Sequence, residues 1–124
     1  MLESVQFGTY RFPHNPREIH ITEGHRTRVD LLPFLGEQVR RLGRGATRVE
    51  CRGEFLTPSP QQSLAEFERL RAVYQKGGWE LLFLPGRQPF PAYFEGLELL
   101  AQGDGRALGY RARFIEAWSY GGQG

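Results

Sequence analysis

Apolar residues return at three- and four-residue intervals at Leu64, Phe67, Leu70, Val73 and Tyr74, and that spacing predicts an amphipathic helix. Its borders agree. Ser59 can cap it, Pro60 suits the first helical position because its missing N–H has no partner there, and Gln62 can close a capping box. Gly77-Gly78 supplies a residue free to turn left-handed and stop it. Glu66 with Arg69 and Glu68 with Arg71 are spaced to pair on its surface. No other stretch carries so complete a helical pattern, so one main helix over about 60–76 is expected.

Elsewhere the period is two. Ser4 to Phe12 reads as a first strand, stopped by Pro13-His14-Asn15-Pro16, a stiff extended connector. Arg17 to Thr22 and His25 to Leu32 alternate on either side of Glu23-Gly24 and predict a hairpin with its turn there. Glu37 to Leu42 is a short strand with Gly43-Arg44-Gly45 as its turn. Ala46 to Leu56 sets Thr47, Val49, Cys51, Gly53 and Phe55 against Arg48, Glu50, Arg52 and Glu54, the cleanest half-buried strand in the chain. Trp79 to Leu84 is nearly all apolar, as a short buried strand would be. Pro85 to Pro89 is a turn, and Ala92 to Leu100 follows with Gly96 as a candidate bulge. Gln102-Gly103-Asp104-Gly105 marks a hairpin, and Tyr110 to Trp118 is the last strand.

Only the helix is long enough to cross over a sheet, so the strands pair antiparallel. The expected class is α+β, mainly β: an antiparallel bent β-sandwich or partly open barrel with the helix packed on it. Residues 1–118 are expected to form a single domain and 119–124 a flexible Gly-rich tail.

Composition narrows the function classes. Nine Phe, five Tyr and two Trp among 124 residues can build a sizeable core. The net charge is only +2, and Lys76 is the only lysine among the basic residues. Cys51 is the sole cysteine, so no intrachain disulfide forms. No apolar run approaches the length of a membrane span, and no secretory signal opens the chain. A cytoplasmic protein is expected during assembly.

The chain carries no phosphate-binding loop, no His-Glu-x-x-His, no nucleophile elbow and no paired-cysteine motif. His14, His20 and His25 lie within one short region, but no second cluster completes a tetrahedral metal site, so turn or surface imidazoles are expected. Cys51 falls on the apolar face of its strand, where a thiol is inert. No enzyme activity, cofactor or metal is expected. Arg40, Arg41, Arg44, Arg48 and Arg52 form the densest basic stretch, with Arg26 and Arg28 across a sheet. A nucleic-acid groove would interleave aromatics with such arginines, whereas here Glu37, Glu50 and Glu54 dilute them.

Several pieces in order carry a resemblance: Phe12-Pro13-His14-Asn15-Pro16 before Ile19 and Ile21, Leu35-Gly36, Leu42-Gly43, and Gly53-Glu54-Phe55 ahead of the helix. Leu81 to Pro85 and Tyr110 to Glu116 complete the series. Together they resemble the amino-terminal module of baseplate and hub-associated phage-tail proteins, including the peptidoglycan-motif-linked kind, those labelled DNA circularisation proteins, and distal tail proteins. The resemblance implies a non-enzymatic subunit at a baseplate or tube–baseplate junction. It would associate with itself and with other tail proteins and end in a virion tail or tail-like particle, with no membrane partner. No peptidoglycan-binding repeat lies within these residues, so direct wall binding is not expected. Pro13, Asn15, Pro16, Arg40, Arg41, Arg44, Arg48, Arg52, Arg87 and Pro89 are the candidate interaction surface. The alternative is a small nucleic-acid-binding β-barrel that uses the Arg-rich face.

Overall fold

The computed structural model describes residues 4–32, 36–101 and 108–118, with the backbone alone over the strands within 25–44. The order is β1 (Gln6–Phe7), β2 (Tyr10–Arg11), β3 (Glu18–Thr22), β4 (His25–Leu32), β5 (Gly36–Arg44), β6 (Arg48–Glu54), α1 (Pro60–Lys76), β7 (Trp79–Phe83), β8 (Phe90–Ala101) and β9 (Leu108–Glu116). Seven strands form one antiparallel sheet in the order β2-β1-β7-β8-β9-β6-β3 that does not close, and β4 and β5 form a two-stranded sheet of their own. The class is α+β, mainly β, with one helix.

Three local expectations are corrected. Ser4 to Phe12 is not one strand but a tight hairpin, with Phe7 opposite Tyr10 and Gly8 at φ 60° between them. The Gly8 N–H donates to the Leu81 carbonyl at 2.9 Å. Parity explains the turn: a straight strand would send Phe12 to the face opposite Val5 and Phe7, whereas the hairpin buries all three.

The second correction concerns Glu23-Gly24, which is not a hairpin turn. β3 pairs with β6, setting Ile19 opposite Cys51 and Ile21 opposite Val49, and β4 pairs with β5. The Gly45 N–H donates to the Gly24 carbonyl at 2.8 Å between the two ladders. The four strands therefore make one long ribbon with a joint at Glu23-Gly24. Gly43-Arg44-Gly45 is likewise no turn, since Arg44 is paired with His25.

The helix runs as its borders predict. Ser59 Oγ accepts the Gln62 N–H at 3.3 Å, Pro60 opens the first turn, and Gly77 ends it at φ 72°. Its buried stripe is Ser63, Phe67 and Leu70, with Val73 partly buried, while Leu64 and Tyr74 lie at the margins and stay exposed. Ser63 fits a buried place because its hydroxyl donates to the Phe55 carbonyl at 3.3 Å and lies 2.6 Å from the Thr57 hydroxyl. The pairs Glu66–Arg69 and Glu68–Arg71 form at 3.2 and 3.4 Å.

α1 links β6 to β7 and packs over β8 and β9. Under it lies an aromatic core. Phe7, Phe94 and Phe114 meet with ring centroids 4.6, 5.2 and 5.8 Å apart. Tyr110 stacks between Phe12 and Phe55, and Phe55 reaches Phe67 of the helix. The β8–β9 ladder slips between Phe94 and Gly96, the bulge that Gly96 predicts. The turn at Gln102-Gly103-Asp104-Gly105 lies outside the described residues, but Ala101 pairs with Leu108 on its two sides. The tail 119–124 lies outside them too. Among the described residues the helix packs on one face of the sheet, and no other element packs on the opposite face.

Candidate interaction surface

Alternation that buries Val49, Cys51, Ala112 and Phe114 must turn their neighbours to the open face. The register then builds rows across four strands. Glu18, Arg52, Arg111 and Glu98 stand side by side, and His20, Glu50 and Arg113 form the next row. Arg111 lies 3.2 Å from Glu50 and 3.4 Å from Glu98; Arg52 is 3.7 Å from Glu50, and Arg48 is 3.9 Å from Glu95. Each solvated pair contributes little by itself; Arg52 and Arg111 face one another across the ladder, a like-charge pair that Glu50, within reach of both, offsets. The Glu18 carboxyl is held below the usual carboxylate range by its hydrogen bond with His20, whose Nε2 is 3.2 Å away. Along the rows runs an open groove of about 470 Å³ lined by His20, Arg48, Glu50, Glu95 and Arg113. It is charge-balanced and not a basic channel.

The last row of this face is aromatic. Trp79 lies opposite Tyr93, and Tyr93 opposite Ile115. Trp118, two residues beyond β9, sets its ring edge-on to Trp79 with centroids 4.7 Å apart. Trp79, Tyr93 and Trp118 are 47%, 45% and 43% exposed. Both tryptophans of the chain therefore share one open corner. The sequence reading placed Trp79 in a buried run and missed this corner, because in an unbroken apolar stretch parity is invisible. The one available signal was Glu80, which marks the break in that run.

The candidate residues divide between two ends of the sheet. Pro13 and Asn15 are exposed and Pro16 half-buried; Asn15 Oδ1 accepts the Val5 N–H at 3.2 Å, so that side chain also ties the connector to the first strand. Nearby, Arg17 lies 3.6 Å from Glu54, and Arg52 stands in the row beside them. At the other end Arg87 meets Glu23 at 2.9 Å, joining the β7–β8 loop that holds Pro89 to the ribbon joint, close to Arg48. Arg40, Arg41 and Arg44 stand on β5 opposite Arg28, Thr27 and His25. Their side chains lie outside the described residues.

Burial pushes the Cys51 thiol up to about 12, with Glu50 adding to the rise, so the thiolate needed for nucleophilic chemistry is suppressed. Desolvation also raises the Tyr10 phenol to about 12 and drives Tyr110 upward. Among the described residues no group of three or more His, Cys, Asp or Glu side chains is disposed to hold a metal ion. His14 lies 3.2 Å from the Leu56 carbonyl, far from His20 in the fold, and the His25 side chain lies outside the described residues. Among the described residues no helix is long and apolar enough to cross a membrane.

No protein-family model matches the chain, and no curated protein matches it. Solved structures do. One chain in a structure titled as the virion of a native gene transfer agent (GTA) particle is similar at a TM-score of 0.60 and 15% identity, over 94% of this chain and 91% of that one. A second, in the tail of an empty GTA particle with C6 symmetry, aligns over 82% of this chain and 75% of that one at 16% identity. Its TM-score of 0.48 is too loose to argue from. At these identities the likeness is one of fold.

Proposed function

We propose that this chain is a non-enzymatic structural subunit of a phage tail or tail-like particle, placed at a baseplate or tube–baseplate junction. The observation that carries the reading is the fold shared with a GTA virion chain over nearly the full length of both. The match spans most of this chain and most of the other, so it supports a likeness of overall fold. The described surface supports it. A charge-balanced face, a half-exposed aromatic corner and a two-stranded ribbon outside the main sheet are features suited to neighbouring protein chains. Its partners are other tail proteins and further copies of itself, and its destination is the assembled particle.

The nucleic-acid alternative draws less support, because Arg48 and Arg52 are matched by Glu95 and Glu50 and would displace few counterions. The test is to purify particles from cells that make the protein and to identify their components by mass spectrometry and antibody labelling. The chain is expected in the tail fraction at a fixed multiple per particle. Its absence from intact particles would remove this reading.

A further inference from the structure

We infer that the Arg113 guanidinium, seated on the bare backbone of Gly96, receives a carboxylate from an acidic side chain of a neighbouring tail protein. The inference rests on the assembly reading above and adds the chemistry that the open face recognises.

The seat comes from the bulge. The β8–β9 ladder slips between Phe94 and Gly96, which sets Gly96 opposite Arg113. A Cβ built on Gly96 would lie 2.8 Å from Arg113 Nε and 3.0 Å from its Cζ, so the guanidinium lies directly against the backbone. Any larger residue at position 96 would lift it. A long side chain that already rests in one place has less freedom to lose when a partner holds it.

Its donors are unfilled. Arg113 stands across the ladder from Glu50, yet Glu50 meets Arg111 at 3.2 Å and Arg52 at 3.7 Å instead. Among the described residues the acid in reach of Arg113 is Glu98, at 3.9 Å, beyond hydrogen-bond distance. The other Glu98 oxygen accepts from Arg111 at 3.4 Å. A guanidinium carries five N–H donors and grips a carboxylate best with two of them side by side. Arg113 thus borders the groove with its side chain 48% exposed. The groove also limits what enters. Its wall holds His20 and Arg48 but Glu50 and Glu95 too, in an open space of about 470 Å³. One carboxylate fits beside those acids, whereas the repeated charge of a nucleic-acid backbone would be driven against them.

Two variants separate seat from charge. Arg113→Gln removes the charge. Gly96→Ala keeps it but displaces the guanidinium, and because the clashing atoms end a flexible side chain, the fold should tolerate the change. The Arg113 Nε–H resonance of the full chain is followed by NMR against acetate, with chloride at equal ionic strength as the control. In the wild type it should shift saturably with acetate alone, and in Gly96→Ala with an affinity about tenfold weaker. In cells making the particle, each variant should fall about tenfold in the purified tail fraction relative to the wild type.

A shift that chloride reproduces, a response unchanged in Gly96→Ala, or Arg113→Gln at the wild-type level in particles overturns the inference. Saturation of the same resonance by a short DNA duplex overturns it as well, in favour of a nucleic-acid partner. Because the wild-type titration needs no substitution, poor folding of a variant does not leave the question open. Presence of the wild-type chain in particles together with a chloride-like response to acetate overturns the carboxylate seat alone, whereas absence from particles removes the assembly reading.

Discussion

Position 53 has room only for hydrogen. A Cβ built on Gly53 would lie 2.7 Å from the Tyr110 hydroxyl and 2.9 Å from the ring carbon that bears it, because Tyr110 lies directly across the ladder and packs over the bare backbone. The ring is wedged between Phe12 and Phe55 and cannot swing away freely. Gly53→Ala is therefore expected to cost about 1–3 kcal/mol, read as a lowered urea midpoint at an unchanged m-value. The buried acids give a second expectation at this scale. The Cys51 thiol is raised from 9.0 to about 12 and the Tyr10 phenol from 10.0 to about 12, so folding favours both neutral forms. That stabilisation is whole below pH 9 and is lost as the pH climbs from 9 towards 12, where the unfolded chain ionises first. Denaturation midpoints should fall between pH 9 and 11, less steeply in Cys51→Ala; a wild-type midpoint that stays level would contradict this.

Among the elements, the helix is specified locally and the strands are not. Cap, first-turn proline, stripe and terminal glycine are all neighbours in sequence, so α1 could be read with its limits. Ser59→Ala removes the acceptor of the Gln62 N–H and should cost about 1 kcal/mol. Arg71→Ala breaks an exposed pair with Glu68 and should cost less than about 0.5 kcal/mol. Comparing the two melting curves checks the order. The strands behave differently: alternation in β3 and β4 announced strands, but no local residue says which partner each will take. Tertiary pairing sent β3 to β6 and β4 to β5, turning an expected hairpin into the joint of a ribbon. The stripe also shifted, since Ser63 found hydrogen bonds under the helix and Leu64 was left at its edge.

For the whole molecule, the ribbon and the sheet should separate experimentally. Thr22 and Arg48 are paired at the end of the main sheet, so an Asn-Gly turn in place of residues 24–45, with its flanks adjusted to the register, should leave an ordinary hairpin. Such a chain is expected to keep its helical circular-dichroism signal and to lie within about 1 kcal/mol of the full protein, because a lone two-stranded sheet adds little stability. Collapse of the sheet on removing the ribbon would mean that the two are one cooperative unit.

Patterning along the chain determined the class of the fold, the helix and its borders, the cleanest strand at β6, and the bulge at Gly96, because each follows from residues within one or two turns or from strict parity. Strand partners, the tight hairpin at Gly8, the balance of charge on the open face and the tryptophan corner were decided only by the folded sheet. The reason is register. Which residues share a row depends on pairings between segments as much as 77 positions apart, such as Gln6 with Phe83, and nothing within either segment carries that information.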